Sequence, residues 1–233
     1  MSRPAPIWID HLPTGRLIVE ASLWSADLLN LAGDLARVRP HVDLLHIDVA
    51  DGHFAPALLF FPDLVAAIRK ISGVPIHVHL MTTDDILLQQ IDQFAEAGSD
   101  LISIHVENEV VRDRALDRLD ARRISAGMVV KVNTPVARVA PYLSRLRFLT
   151  LLGTEIGVKG QGLDKKALDR LREAKRLITA TRTMQRIVLA ADGGIRENTV
   201  PLLLSAGAET VVAGSLLFGA PDLLARLAWL HAL

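Results

Sequence analysis

Short apolar runs alternate with amphipathic stretches from one end of the chain to the other. The runs are rich in Val, Ile and Leu and most show little polar alternation, which is typical of strands covered on both faces. The pattern predicts strands at Leu17–Ala21, Leu44–Val49, Pro75–Leu80, Leu101–His105, Gly127–Lys131, Phe148–Leu152, Ile187–Ala191 and Thr210–Ala213. Helical spacing between them predicts helices at Asp27–Val38, Pro62–Ile71, Asp84–Ala97, Val110–Ala121, Asp164–Thr179 and Thr199–Ala206.

The strand and helix units recur at intervals of roughly 25 to 30 residues and complete eight repeats, which predicts an α/β fold, a (β/α)8 TIM barrel. A doubly wound open sheet is the competing arrangement, and the eight-fold count disfavours it. Since no Ser/Gly-rich linker and no shift in composition divides the chain, we predict a single barrel domain over residues 17–233, preceded by an N-terminal extension over residues 1–16.

Composition excludes several classes of protein. Lys and Arg total 26, as do Asp and Glu, so no net charge recruits nucleic acid or an anionic membrane, and we expect neither as a partner. The chain has no cysteine, which excludes disulfides, thiolate metal sites and a cysteine nucleophile. Residues 1–16 do not resemble a signal peptide and no run is long enough to span a membrane. We therefore expect a soluble, cytoplasmic protein.

Imidazoles and carboxylates stand at the ends of several predicted strands. His46 and Asp48 are two positions apart and point to the same side of one strand. His79 and Asp192 end two other apolar runs. The carboxyl ends of the strands carry the chemistry in barrels of this kind, so these four side chains are expected to converge. Nitrogen and oxygen ligands of this mix suit one divalent ion of zinc, iron, manganese or cobalt, and spacing does not choose among them.

Glycines follow the seventh and eighth predicted strands. Gly193 and Gly194 come directly after Asp192, and Gly214 precedes Ser215. Loops at these two places often bind phosphate in such barrels, because glycine lets backbone N–H groups approach the anion closely. The sequence therefore predicts a phosphate site beside the metal site.

Several segments, taken together, resemble the ribulose-phosphate 3-epimerase family from Leu17 to Gly219. The string His46-Ile47-Asp48-Val49-Ala50-Asp51-Gly52-His53-Phe54 is highly specific, whereas the Gly-Ser pair alone is a weak signal. The other matching segments are Ala21 to Asp27, Val78-His79-Leu80-Met81, Ala97-Gly98-Ser99-Asp100, Ala191-Asp192-Gly193-Gly194-Ile195 and Val212-Ala213-Gly214-Ser215.

The resemblance implies a ribulose-phosphate-binding TIM barrel that inverts the carbon next to the ketone of a phosphorylated ketose. It implies that His46, Asp48, His79 and Asp192 hold the metal and that Asp48 and Asp192 are the acid and base. It also implies a homo-oligomer. The residues expected to contact substrate or its phosphate are Ser22, His79, Met81, Gly157, Gly160, Gly193, Gly194, Gly214 and Ser215.

The chain departs from the family at the walls of the expected pocket. Ala50 stands where the family has a methionine against the sugar, and Lys131 where an asparagine is usual. Lys159 replaces a glycine of the loop after strand six, where it is either a charge for the phosphate or a solvated lysine. Another ketose phosphate, such as allulose 6-phosphate, is therefore an alternative substrate.

Two further functions compete with epimerisation. The substituted loops favour a non-catalytic phosphosugar-binding protein, and the intact set of ligands and carboxylates disfavours it. A related barrel lyase usually has a lysine two residues after a strand-end aspartate, whereas this chain reads Asp48-Val49-Ala50. For His77 and His105 we expect buried, hydrogen-bonded side chains rather than ligands, and Asp51 is expected to orient a ligand histidine.

Overall fold

The computed structural model, which describes residues 8–181 and 183–233, has parallel strands that form a closed barrel in sequence order. The strands are β1 Ile18–Ser22, β2 Leu44–Ala50, β3 Ile76–Met81, β4 Leu101–His105, β5 Ser125–Val130, β6 Phe148–Leu152, β7 Val188–Asp192 and β8 Thr210–Ala213. The helices are α1 Leu31–Val38, α2 Pro62–Ile71, α3 Asp84–Ala97, α4 Arg112–Ala121, α5 Ala167–Ala180, α6 Val200–Ser205, α7 Ser215–Phe218 and α8 Leu223–His231. The predicted fold class is confirmed.

Two helical segments differ from the prediction for local reasons. Helix α1 begins at Leu31 rather than at Asp27, because the Asp27 carboxylate accepts the N–H of Leu29 and holds a turn there. A 3₁₀ helix at Val136–Arg145, which was not predicted, covers the barrel between β5 and β6. Pro141 lies within it and lacks the N–H that a longer α-helix needs.

The strand register places polar side chains inside the barrel and apolar ones against the helices. Ser22 lies beside His46, and Asp48 lies beside His79. Because alternate residues of a strand face the same side, these residues share the interior with Glu20 and His77, one layer below. The outward-facing apolar residues of the strands pack with the buried faces of the helices in one large core.

The extension packs against the amino ends of the strands. Residues 1–7 lie outside the described residues, but Trp8–His11 form a 3₁₀ turn in which Trp8 and Ile9 are buried. They join Leu12 and the lowest interior side chains, Ile18, Leu44, Leu101, Phe148, Val188 and Ala190, in a second cluster. This cluster forms an apolar floor, which closes the amino end of the barrel as far as the described residues show.

Within the described ranges, no helix is long and apolar enough to cross a bilayer.

Candidate active site

The four predicted ligands meet at the carboxyl end of the barrel. One nitrogen or oxygen atom from each of His46, Asp48, His79 and Asp192 lies within 4.8 Å of the others. Asp48 and Asp192 come from nearly opposite sides of the barrel, on β2 and β7. Ser22 donates a hydrogen bond to Asp48 Oδ2 at 3.2 Å. The set could therefore hold one ion between the paired strands β2 and β3 and the strand β7, which pairs with neither of them.

The hydrogen bonds of His79 leave its Nδ1 facing the cluster. Nδ1 of His105 is 3.1 Å from Glu107 Oε2, and burial, the largest influence, lowers the pKa of His105 to about 4. The neutral ring therefore donates to Glu107 through Nδ1 and accepts from His79 Nε2 at 2.8 Å. A His79 ring that donates through Nε2 keeps the Nδ1 lone pair, and that atom lies 3.2 Å from Asp48 Oδ1.

His46 also has one ring nitrogen in a hydrogen bond and the other directed toward the cluster. Its Nδ1 lies 3.0 Å from Glu20 Oε2, and its Nε2 is buried without a hydrogen-bond partner among the described residues. Buried polar atoms are rarely left unpaired, because the unpaired atom costs its full desolvation energy. This nitrogen lies 3.3 Å from Asp48 Oδ1. Burial alone would lower the pKa of His46, but the charges of Asp48 and Glu20 raise it well above its usual value, so a bound ion would replace a proton on this nitrogen. The donor set therefore fits a divalent metal with nitrogen and oxygen preferences.

The two carboxyl groups of the cluster differ in their affinity for protons. Burial alone would raise the pKa of Asp48, but the charge and hydrogen bonds of His46 and His79 hold it well below its usual range. Burial and then the charge of Asp48 raise the pKa of Asp192 to about 6. The protein groups thus keep Asp48 ionised, whereas Asp192 takes up a proton at a much higher pH than Asp48, because two negative charges so close together repel each other.

The loops after β7 and β8, where the sequence predicts a phosphate site, line the same pocket as the cluster. Gly193 and Gly194 have positive φ angles of 87° and 70°, and a Cβ at Gly193 would lie 2.3 Å from Oγ1 of Thr154. Only glycine fits there without strain. These residues, with Gly214 and Ser215, line the same pocket as Asp48, His79 and Asp192. Arg196, which sequence reasoning missed, also lines it and points Nη1 at Ser215 Oγ, 3.4 Å away.

The loop after β6 lines the pocket. Gly157 and Gly160 both line the pocket and have positive φ angles. The Lys159 ammonium group donates to the carbonyl of Trp24 and lies 4.8 Å from the centroid of its ring. Lys159 therefore joins the loop after β6 to the one after β1, rather than extending freely into solvent.

Apolar side chains form the wall between the β6 loop and the candidate metal cluster, His46, Asp48, His79 and Asp192. Met81, one of the predicted contacts, is buried and lines the pocket beside Ile156. It packs with Ala50 and Ala55, which are small. Lys131 has its Nζ 3.7 Å from the ring centroid of Phe54.

Sequence reasoning missed three polar residues and was wrong about a fourth. Glu20, Glu107 and Arg196 were not singled out, although a lone Glu in an apolar strand such as β1 is costly to bury without partners. Asp51 does not orient a histidine ring, because its carboxylate accepts the backbone N–H groups of His53, Phe54 and Thr83. His77 and His105 are buried and hydrogen-bonded, as expected.

Comparison with known proteins decides the family. The family described as "Ribulose-phosphate 3 epimerase family" matches residues 18–218. The chain belongs to the ribulose-phosphate 3-epimerase family. It is accordingly an isomerase of the carbohydrate-phosphate epimerase class, in a family whose members depend on a metal.

Curated ribulose-phosphate 3-epimerases are similar in sequence to most of this chain. The ribulose-phosphate 3-epimerase of Bacillus subtilis is 32% identical over 205 residues, which are 88% of this chain and 93% of that protein. The enzyme of Aquifex aeolicus is 34% identical over 198 residues, 85% of this chain and 87% of that protein. The enzyme of Escherichia coli K12 is 32% identical over 207 residues, 88% and 90% of the two chains.

Solved structures confirm the architecture at lower identity. A 3-hexulose-6-phosphate synthase has a TM-score of 0.66 and 19% identity, and the match covers 93% of this chain and 99% of that one. A 3-keto-L-gulonate-6-phosphate decarboxylase from Vibrio cholerae has a TM-score of 0.68 and 16% identity, with 92% and 99% covered. At such identity the similarity shows the shared fold alone.

Proposed function

We propose that this protein is a metal-dependent epimerase that inverts C3 of a ketose phosphate, converting D-ribulose 5-phosphate to D-xylulose 5-phosphate or acting on a close analogue. The observation that carries the proposal is the pair Asp48 and Asp192. Their carboxyl groups come from opposite sides of the barrel, meet within 4.8 Å, and hold protons with very different affinity.

The pair suits the chemistry of inversion next to a ketone. One carboxylate takes the C3 proton from one face of the sugar, and one carboxylic acid returns a proton to the other face. Asp48 and Asp192 perform these two roles and exchange them in the reverse direction, without any need for the sugar to turn over. Ser22, which donates to Asp48, keeps that carboxylate in place.

His46, Asp48, His79 and Asp192 would hold the divalent ion. Such an ion, when bound, supplies Lewis-acid stabilisation of the oxyanion that develops as the C3 proton leaves. At the other end of the pocket, Gly193, Gly194, Gly214 and Ser215 bind the phosphate and fix the distance from phosphate to C3. The apolar wall at Met81 and Ile156 excludes water from the enediolate.

A panel of ketose phosphates in deuterated water tests the proposal. The protein is supplied with zinc, manganese, iron(II) or cobalt and mixed with ribulose 5-phosphate, xylulose 5-phosphate, allulose 6-phosphate or fructose 6-phosphate. NMR should show deuterium at C3 of at least one sugar together with its epimer. No incorporation into any sugar with any metal would contradict the function.

A matched pair of variants tests the role of Asp192. Asp192→Asn keeps the size of the side chain and should lower the exchange rate by about 10² to 10⁴-fold, the usual contribution of general acid–base catalysis. Asp43→Asn removes a carboxylate at the opposite end of the barrel, where it pairs with Arg16, and should leave exchange unchanged. Wild-type exchange by Asp192→Asn would refute its acid–base role.

A ketohexose phosphate is the second candidate substrate, because small side chains, Ala50 and Ala55, lie beside Met81 in the wall. A faster rate with allulose 6-phosphate than with ribulose 5-phosphate in the same panel would favour it. Binding of these sugars by calorimetry without any exchange would instead favour a non-catalytic phosphosugar-binding protein. Assembly into a homo-oligomer and residence in the cytoplasm stay predictions from the sequence.

A further inference from the structure

A fully buried carboxylate lies one layer below the metal cluster, inside the barrel. Oε2 of Glu20 is 3.0 Å from Nδ1 of His46 and 2.7 Å from Nδ1 of His77, and its Oε1 accepts a hydrogen bond from Thr210 Oγ1 at 3.3 Å. These three groups donate to one side chain, which fits an ionised carboxylate that can only accept. Both histidine rings therefore have their hydrogen on Nδ1.

The Nε2 atoms of the two histidines have different surroundings. Nε2 of His77 lies 2.7 Å from Oγ of Ser103 and accepts its hydrogen. Nε2 of His46 has no hydrogen-bond partner among the described residues and lies 3.3 Å from Asp48. The buried network thus satisfies the ring nitrogens of both histidines except the one that points toward Asp48, His79 and Asp192.

Glu20, His46 and His77 are themselves close enough to be considered as a second metal site. Hydrogen bonds account for that proximity, because a single oxygen of Glu20 contacts both Nδ1 atoms at hydrogen-bonding distance. Glu20 therefore acts through His46 rather than as a ligand.

We propose that Glu20 is a positioning residue, which holds His46 in the tautomer with Nδ1 protonated and strengthens its Nε2 as a ligand through the adjacent negative charge. The proposal rests on the proposed function, since it requires a divalent ion at the four-residue cluster. Carboxylates that accept from a ligand histidine in this way commonly contribute 10- to 100-fold to metal affinity.

Metal affinity is the readout, measured with zinc and with cobalt by competition against a chromophoric chelator. Glu20→Ala should bind the metal about 10- to 100-fold more weakly than the wild type. Glu20→Gln keeps an oxygen that accepts from His46 but loses the charge, so its affinity should lie between the two. Because Gln is close in size to Glu, this variant also carries the test if Glu20→Ala does not fold.

Ser103→Ala is the matched control, since it removes a hydrogen bond to His77 in the same buried layer and leaves the contact between Glu20 and His46 intact. It should lower the melting temperature and change metal affinity by less than twofold. NMR of the zinc-loaded protein adds a direct signature: the Nδ1–H signal of His46 should be present in the wild type and in Ser103→Ala, and shifted or lost in Glu20→Ala.

The possible results separate a failure of the Glu20 proposal from a failure of the proposed function. Glu20 variants with wild-type metal affinity and an unchanged His46 signal would overturn this proposal alone, with turnover intact. An equal loss of affinity in Ser103→Ala would overturn it too, by showing a general effect of packing. Tight metal binding that weakens in the Glu20 variants, without epimerisation of any sugar, would support the positioning role and contradict only the proposed function. A wild type that binds none of zinc, cobalt, manganese and iron(II) would overturn both.

Discussion

At the scale of single residues, each imidazole of the candidate metal cluster is hydrogen-bonded to a carboxylate, either directly or through a second histidine. His46 donates to Glu20, while His79 donates to His105, which in turn donates to Glu107. Each arrangement leaves the other nitrogen of the ring pointing toward the cluster. The two hydrogen-bonded networks lie side by side, one on β1 and β2 and the other on β3, β4 and the residues that follow β4, and each network orients one ring.

Glu107 should make the stability of the fold depend on pH. Burial alone would raise its pKa, but hydrogen bonds from His105, Thr134 and the N–H of Lys131 lower it to about 2. A lowered pKa in the folded state stabilises the fold above the unfolded value of 4.5, and this contribution is lost as the pH falls from there toward 2. Glu107→Gln should therefore unfold more easily at pH 7, by a free energy on the order of 2–3 kcal/mol.

Urea titrations of chelator-treated protein at several pH values measure this difference. The difference in free energy of unfolding between wild type and Glu107→Gln should decrease steadily below pH 4.5. Glu109→Gln is the control from the same loop, because Glu109 is exposed and pairs with Arg138 at the surface, where such pairs contribute about 0–1 kcal/mol. An equal difference in free energy of unfolding at pH 7 and at pH 3 would contradict the lowered pKa of Glu107 in the folded state.

At the scale of elements, the short turn Trp8–His11 closes the end of the barrel that lies opposite the site. Ile9 is fully buried there against the lowest interior residues of the strands. Ile9→Ala should destabilise the fold by about 2–5 kcal/mol, because it removes buried methyl groups and leaves a cavity. Since the floor lies two layers below Asp48, the turnover rate at a temperature well below unfolding should not change.

Denaturant unfolding and turnover, measured on the same preparation, separate these effects. Leu29→Ala is the control, because the Leu29 side chain is fully exposed and its loss should change stability by less than about 0.5 kcal/mol. Wild-type stability of Ile9→Ala would show that the extension is not part of the folded barrel.

The elements also show what could be predicted from the sequence. The apolar runs predicted every strand to within about two residues. A parallel strand of a barrel is short and packs its outer face against helices, so it forms a short apolar run in the sequence. The position of His46, Asp48, His79 and Asp192 at strand ends was enough to expect their convergence. The role of Glu20 could not be predicted, because its partners His46, His77 and Thr210 come from three other strands and depend on the barrel register.

At the scale of the whole molecule, the candidate metal cluster links β7 to β2 and β3, two strands with which β7 has no hydrogen bonds. The ligands come from β2 and β3 on one side of the barrel and from β7 on the other. An ion that binds these groups binds only the folded chain, since unfolding separates residues that lie far apart in sequence. Metal binding and folding should therefore be coupled.

Melting temperature should consequently rise with the concentration of free metal. At a free concentration 100 times the Kd, binding stabilises the fold by about 2.7 kcal/mol, which for a chain of this size is a rise of about 5–10 °C. Calorimetric scans in chelator and in buffered zinc, manganese or cobalt measure it. Magnesium should have little effect, because it binds imidazole nitrogen poorly. His79→Gln removes one ligand and should abolish most of the rise, and a melting temperature that no metal changes would mean that these four side chains do not form a metal site.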